Sequence, residues 1–247
     1  MLNLDLLRPR WPAPAGVQAV CSTRAGGVSQ GRYESLNLGG RVGDDASAVA
    51  ENRRRYEAAL GVRPVLLQQV HGVEVRRLDT ASADSEIADG CTTTEAGLAC
   101  TIMVADCLPV LFCDAEGRQV AAAHAGWRGL AAGVLEKTLA TFDGEPVMAW
   151  LGPCIGPKAF EVGAEVKAVF EANDPASAAC FRPAGAEGKW LADLPALARR
   201  RLARAGVDAV HGNDGGDAWC TVGNPLRFFS HRRDGVSGRL AASIWKA

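Results

Sequence analysis

A disulfide framework, a membrane-length apolar run and a large net charge are all missing from this sequence. Its eight cysteines (Cys21, Cys91, Cys100, Cys107, Cys113, Cys154, Cys180 and Cys220) include no CxxC pair. A secreted disulfide scaffold is normally shorter and denser in cysteine, so they read as mostly reduced thiols of a cytoplasmic protein. Most are expected to be small core residues. No apolar run approaches the roughly 18 residues of a membrane span. The opening MLNLDLLRPRWPAP has no basic stretch leading into a long apolar one, so a secretory signal is not expected. Lysine and arginine number 27 against 28 acidic residues, a formal charge of −1. That balance argues against electrostatically driven binding to nucleic acid or to a membrane surface. Low-complexity tracts, internal repeats and Pro/Gly/Ser-rich linkers are absent as well.

What is present suits one large globular domain or two small ones, and the lack of a dividing linker favours one over residues 1–247, with 48% hydrophobic and 22% charged residues. A chain of this length buries enough surface to need no covalent staples. Near-zero charge fits either a monomer or a homodimer.

The pattern predicts strands over Val17 to Cys21, Val65 to Val70, Val73 to Leu78 with His71-Gly72 as the turn between them, and Leu98 to Val104. A hairpin is expected from Val110 to Cys113 and Arg118 to Ala123 around Asp114-Ala115-Glu116-Gly117. Further strands are expected over Val147 to Leu151, Arg227 to Ser230 and Leu240 to Trp245. Helices are predicted from Ala46 to Leu60, capped by Asp44 or Asp45 and stopped by Gly61, and from Leu130 to Thr141 after a loop at Gly126 to Gly129. Two more are expected, from Gly163 to Ala172 and from Pro195 to Ala205, the latter capped by Asp193. The arginines at 199, 200, 201 and 204 read as a solvated face. An acidic loop fills Ala81 to Gly90. Strands and helices mix without strict βαβ alternation, which favours an α+β or layered fold with mixed sheets.

The histidines number four, and two of them flank a cysteine at the ends of strand candidates. His71 closes Gln68-Gln69-Val70-His71-Gly72. Cys107 lies in Ala105-Asp106-Cys107-Leu108-Pro109. His124 closes an alanine-rich strand and opens His124-Ala125-Gly126-Trp127-Arg128-Gly129. Two imidazoles and a thiolate suit Zn²⁺ with an open fourth position, and the same set also takes copper. From spacing alone the alternative stays open: a turn histidine, a core histidine and an inert thiol. The glycines at 126 and 129 admit close backbone approach to a ligand, Arg128 can pair with phosphate or carboxylate, and Trp127 either stacks on a base or fills the core. Arg24, in Arg24-Ala25-Gly26-Gly27, is either a cation near a ligand or part of an ordinary turn. Cys154, in a rigid Gly-Pro-Cys-Ile-Gly-Pro loop, either lines a pocket or shapes a corner. Arg232 and Arg233 either close a pocket or form a surface ion network, and His211 has no assignment.

Together these motifs resemble the YfiH family. They are Gln69-Val70-His71-Gly72, Ala105-Asp106-Cys107-Leu108-Pro109, His124 to Gly129, Leu151 to Gly156 and the late Phe228-Phe229-Ser-x-Arg-Arg-Asp run. Ser22 to Ser29, Ser35-Leu36-Asn37-Leu38-Gly39 and Asn52-Arg53 extend the resemblance, which spans about residue 20 to the C-terminus. The family is also called the polyphenol oxidase or laccase-domain family, and it includes peptidoglycan editing factor and the human protein FAMIN. His231 departs from it, standing where tyrosine is expected.

The resemblance implies an α–β–β–α arrangement of mixed sheets, similar to the catalytic domain of cytotoxic necrotizing factors. It implies a zinc site on His71, Cys107 and His124, which are also the catalytic residues. Family members are described as purine nucleoside phosphorylases acting on adenosine, inosine and methylthioadenosine, with adenosine deaminase activity. Purine nucleoside and phosphate are then the expected partners, with Arg24, Asn37, Asp106, Gly126, Trp127 and Arg128 as candidate substrate or phosphate contacts. Three other readings compete. One is a cysteine hydrolase or amidase on a muropeptide precursor, with Cys107 as nucleophile. Another is a copper-dependent phenol oxidase. The third is a non-enzymatic module with a closed structural zinc, for which Asp106 or Cys154 would have to supply the fourth ligand.

Overall fold

The computed structural model describes residues 4–247. In chain order the strands are β1 (Leu6–Leu7), β2 (Val17–Ser22), β3 (Arg63–Leu66), β4 (Val75–Arg77), β5 (Gly90–Thr93), β6 (Leu98–Val104) and β7 (Leu108–Asp114). They continue with β8 (Val120–Ala125), β9 (Val147–Leu151), β10 (Glu161–Gly163), β11 (Phe181–Pro183), β12 (Lys189–Ala192), β13 (Val210–Gly212) and β14 (Leu240–Lys246). The helices are α1 (Ala46–Leu60), α2 (Trp127–Ala132), α3 (Val134–Leu139), α4 (Ala164–Asn173), α5 (Leu194–Arg204) and α6 (His231–Asp234). None is long and apolar enough to cross a membrane.

Two mixed sheets carry the fold. One runs β1-β2-β14-β6-β3, the other β13-β9-β7-β8-β5-β4, and a small sheet β10-β12-β11 stands apart. Within the two large sheets β3–β6, β4–β5 and β13–β9 are parallel pairs and the rest antiparallel. Side chains alternate between the faces of a strand, and that alternation sorts the core into layers. Cys100, Ile102 and Val104 of β6 meet Val120 and Ala122 of β8 between the two sheets. Ala121, Ala123 and Ala125 turn the other way, onto Leu130, Val134 and Leu135 of α2 and α3 and Leu197 and Leu202 of α5. On the far side of the five-stranded sheet, Val20, Ala99 and Ala241 receive Tyr56 and Leu60 of α1. The order is therefore α–β–β–α, as the family resemblance implies, with the mixed sheets that the sequence pattern predicts.

Several elements follow the predicted chemistry closely. α1 occupies Ala46–Leu60, with the Asp45 carboxylate accepting the Ala48 amide and Gly61 left-handed at φ 72°. β6 and β9 fall on their predicted residues, and Asp193 caps α5.

Other elements differ. The runs at 65–70 and 73–78 are not paired strands about a turn. They shorten to β3 and β4, which lie in different sheets. Residues between them satisfy their backbone elsewhere: the Gln68 amide donates to the Glu86 carbonyl and the Gln68 carbonyl accepts the Ala88 amide, while the Gln69 side chain bonds both the amide and the carbonyl of Met103. The helix expected over Leu130 to Thr141 starts at Trp127, and Gly133 (φ 100°) divides it into α2 and α3. Gly126 to Gly129 is consequently the first turn of α2 rather than a loop. Arg227 to Ser230 forms no strand; Phe228 and Phe229 are buried from a turn in which the Phe228 amide donates to Asn224. The arginines of α5 are not simply solvated: Arg199 binds the carbonyls of Val210 and Asn213, Arg200 binds Asp174, and Arg201 binds Glu136. Strands β5, β10, β11, β12 and β13 have too few residues to show a period in the sequence.

Candidate metal and active site

The wide spacing of the candidate ligands has a topological cause. The chain passes from the five-stranded to the six-stranded sheet between β3 and β4, and again between β6 and β7. His71 sits on the first passage and Cys107 on the second. His124 is near the end of β8, opposite Pro109 of β7, on the strand face that looks into the space between the sheets. The three meet there: their candidate ligand atoms all lie within 4.8 Å of one another. Cys107 Sγ is 3.6 Å from His71 Nε2, and the two imidazole rings stand edge to face at 4.7 Å between centroids. His124 is buried, Cys107 half-buried and His71 exposed.

Asp89, which the sequence shows only as one acid in an acidic loop, organises this cluster. Its side chain is fully buried. Oδ1 accepts from the His71 amide (2.9 Å) and from His124 Nδ1 (2.8 Å). Oδ2 accepts from the amides of Val70 (3.1 Å) and Gly72 (2.7 Å). One carboxylate thus shapes the loop that carries His71 and sets the tautomer of His124, whose Nε2 is left for the cluster. This carboxylate–histidine pairing is the usual support of a metal-binding imidazole.

The backbone is constrained where it carries these groups. His71 (φ 61°) and Asp106 (φ 91°) both adopt left-handed conformations, a cost of order 1–3 kcal/mol each that surrounding bonds must offset. Around Asp106 those bonds are Thr221 Oγ1 donating to Oδ1 (2.5 Å), the Arg232 amide donating to Oδ2 (2.6 Å) and the Ile155 amide donating to its carbonyl (2.9 Å). Gly126 is required by space: a Cβ there would lie 2.7 Å from His71 Cδ2 and 3.0 Å from Cys107 Sγ.

Burial alone would raise the Cys107 thiol, but the charge and hydrogen bonding of His124, then of His71, outweigh it and bring the pKa to about 6. Burial works against a charged His124, and the Cys107 thiolate and Asp89 carboxylate overcome it, raising the pKa to about 9. Burial also opposes ionisation of Asp89, and its bonds from His124 and from the Gly72 and Val70 amides hold it below the usual carboxylate range. These shifts share one cause, since the Cys107 thiolate, the His124 imidazolium and the Asp89 carboxylate each favour the charge of their neighbour. The cluster's two nitrogens and one sulfur are the donor set of a three-ligand transition-metal site. Among the described residues no fourth His, Cys, Asp or Glu joins it. Asp106 is held by Thr221 and Arg232, and the buried Cys154 accepts from Asn213 Nδ2 (3.3 Å).

The cluster opens into a cavity of about 690 Å³, within the size range of small-molecule sites. Asp106 and Trp127 line it, as do Met103, Ile155, Phe160, His231 and Arg232. Arg24, Asn37, Gly126 and Arg128 are not on that lining. Arg24 binds the carbonyls of Glu34 and Pro225 and lies over the Phe229 ring. Asn37 is buried, its Oδ1 accepting the amides of Gly39 and Arg239. Arg128 is exposed and stacks on Trp127 at 4.4 Å. Arg233 ties down the carbonyls of Thr221 and Phe228, and His211 forms part of β13.

The layered α–β–β–α sandwich that carries this cluster has solved relatives. The fold matches a Neisseria meningitidis protein at TM-score 0.93, with 48% identity, 98% of this chain and 99% of that one covered. It matches YlmD of Geobacillus stearothermophilus at TM-score 0.86, with 33% identity and coverage of 95% and 93%. Residues 18–247 match the family model described as multi-copper polyphenol oxidoreductase laccase, and the chain belongs to that family. A Pseudomonas aeruginosa protein named as a purine nucleoside phosphorylase is 52% identical over 97% of both chains. The purine nucleoside phosphorylase YfiH of Escherichia coli is 50% identical, covering 97% of this chain and 98% of its own.

Proposed function

We propose that the protein is a zinc-dependent purine nucleoside phosphorylase. It would convert adenosine, inosine or methylthioadenosine and phosphate into the free base and ribose 1-phosphate (methylthioribose 1-phosphate from methylthioadenosine), with deamination of adenosine as a second activity. The observation that carries this reading is the meeting of His71, Cys107 and His124 at a cavity large enough for a nucleoside. The names of the relatives support it. His71, Cys107 and His124 would hold the ion, with Asp89 orienting His124. When bound, zinc supplies Lewis acidity, which hydrolytic loss of the adenine amino group needs.

The other steps fall to the chain. In phosphorolysis a phosphate oxygen bonds to C1′ as the C1′–N9 bond breaks, and the electron pair leaves with the base, which takes up a proton. Trp127, Phe160, Ile155 and Met103 supply apolar and aromatic surface for the purine and exclude water from C1′. The backbone around Asp106, locked by Thr221, Ile155 and Arg232, keeps Cys107 on the cavity wall.

Product analysis tests the reading. Zinc-loaded protein and adenosine, with and without phosphate, are expected to give adenine and ribose 1-phosphate only when phosphate is present. Inosine in either condition establishes deamination. Absence of both products refutes the proposal. Single alanine substitutions of His71, Cys107 or His124 are expected to abolish turnover.

The depressed Cys107 pKa favours a second reading, a metal-free amidase or cysteine hydrolase on a muropeptide precursor with Cys107 as nucleophile and His124 as its acid–base partner. Trapping of an acyl group on Cys107 would support it. Copper fits the same donors, but four histidines are too few for an electron-transfer chain of several coppers. An oxidase activity is therefore assigned to copper displacing zinc.

A further inference from the structure

The cavity wall holds more positive charge than its own carboxylates balance. Arg41, Arg53, Arg232 and Arg239 line it, and the one acid on that lining is Asp106, already engaged by Thr221 and Arg232; the charge of Asp84 reaches Arg53 from off the lining. Two of these arginines are set in place with care. Arg53, on α1, is half-buried and donates from Nε to the Leu38 carbonyl (3.0 Å). Arg239, also half-buried, donates from Nη1 to the carbonyls of Ser237 (2.9 Å) and Gly238 (3.1 Å). Both pack on consecutive glycines: a Cβ on Gly40 would lie 2.9 Å from Arg53 Nη2, and one on Gly39 would lie 2.7 Å from Arg239 Cγ. Asn37 Oδ1 holds the amides of Gly39 and Arg239 together, each at 2.9 Å.

Among the described residues neither guanidinium has a carboxylate oxygen within 4.0 Å. Taking an unpaired cation partly out of water is costly unless an anion meets it. Burial accordingly weakens the hold of each guanidinium on its proton. Arg239 also feels the charges of Cys107 and Asp106, so this cationic wall faces the cluster.

We propose that Arg53 and Arg239, packed against Gly39 and Gly40, form a phosphate-group subsite of the cavity. Planar guanidinium edges recognise phosphate through paired, charge-assisted hydrogen bonds. Under the phosphorylase reading, on which the identity of the reaction rests, the subsite receives inorganic phosphate. The same chemistry also fits a phosphoryl group carried by the substrate.

The test compares wild type with Arg53→Gln, Arg239→Gln, the paired lysine variants, and Arg54→Gln as a control on the exposed face of α1. Calorimetric titration with inorganic phosphate and, separately, with adenosine 5′-monophosphate reads binding without turnover. Phosphate and adenosine KM values are then measured for phosphorolysis. Losing charged hydrogen bonds is expected to weaken phosphate about 10- to 100-fold in both glutamine variants, with the adenosine KM within about threefold, a margin far below one lost charged hydrogen bond. Lysine is expected to recover part of the loss and Arg54→Gln to lose nothing. Nucleotide binding that depends on both arginines without free-phosphate binding also upholds the subsite and identifies a substrate phosphoryl as its occupant. Folded variants that bind both ligands like wild type overturn the proposal. Arginine-dependent phosphate binding without phosphorolysis refutes the phosphorylase reading and leaves the subsite standing.

Discussion

Asp89→Asn isolates the carboxylate behind the cluster with almost no change in shape. The aspartate accepts four bonds, two on each oxygen. Asparagine offers one oxygen and one amino group. With the oxygen at the Oδ1 position, the amino group confronts the Val70 and Gly72 amides. Flipped, it confronts the His71 amide and His124 Nδ1. The first orientation leaves two amides unmatched, and the second leaves the His71 amide unmatched and turns His124 to the tautomer whose Nδ1 accepts; at about 1–3 kcal/mol per unmatched donor, a stability loss of about 1–6 kcal/mol is expected. The charge that favours the Nδ1–H tautomer of His124 is lost too, and zinc affinity is expected to fall about 10- to 100-fold. Urea unfolding of the metal-free protein reads the first effect, and competition with a chromophoric chelator reads the second. A variant within 0.5 kcal/mol and threefold of wild type, margins well below one lost buried hydrogen bond, would refute the role given to Asp89.

Two further perturbations test the cluster itself. Gly126→Ala forces a methyl group against His71 and Cys107; a stability loss of about 1–3 kcal/mol is expected, with zinc affinity lowered at least tenfold in the same chelator assay, and unchanged affinity would show that the cluster tolerates displacement. In metal-free protein, Cys107 alkylation by iodoacetamide is expected to reach half its plateau rate near pH 6, where an ordinary thiol needs about 8.5. The lowered thiol contributes stability lost as pH falls through about 6, and the raised imidazole contributes stability lost as pH rises through about 9. Metal-free protein is therefore expected to be most stable between those values. A midpoint of alkylation above pH 8 would contradict the pairing.

Elements with a strong local signal were legible in the sequence. α1 has its Asp45 cap and Gly61 stop, and β6 is a bounded apolar run. The residues of the cluster stood out by type, but spacing left a turn histidine, a core histidine and an inert thiol equally open, and the resemblance to the family made the assignment. Asp89 was not, because its meaning lies in four partners from distant parts of the chain. Arg53 and Arg239 were equally hidden: they are far apart in sequence, and only the Gly39–Gly40 turn brings them to one wall. The first turn of α2 was misread because Gly126 and Gly129 suggest a loop. Both glycines answer to crowding instead: a Cβ on Gly129 would lie 2.8 Å from the Gly72 carbonyl oxygen. Phe228 and Phe229 show the limit of apolar runs, which report burial and not the strand that usually provides it.

The position of β14 has a consequence for biogenesis. The strand made last in chain order lies between β2 and β6, in the middle of the five-stranded sheet. During vectorial synthesis β6 has β3 on one side and nothing on the other until residues 240–246 arrive. Arg239, one residue upstream of that strand, arrives with it. The earlier strands can hold the cluster residues near one another, but the sheet that backs them and the cationic wall facing them are completed in the same late step. The five-stranded sheet is therefore continuous only once residues 240–246 have paired with both β2 and β6.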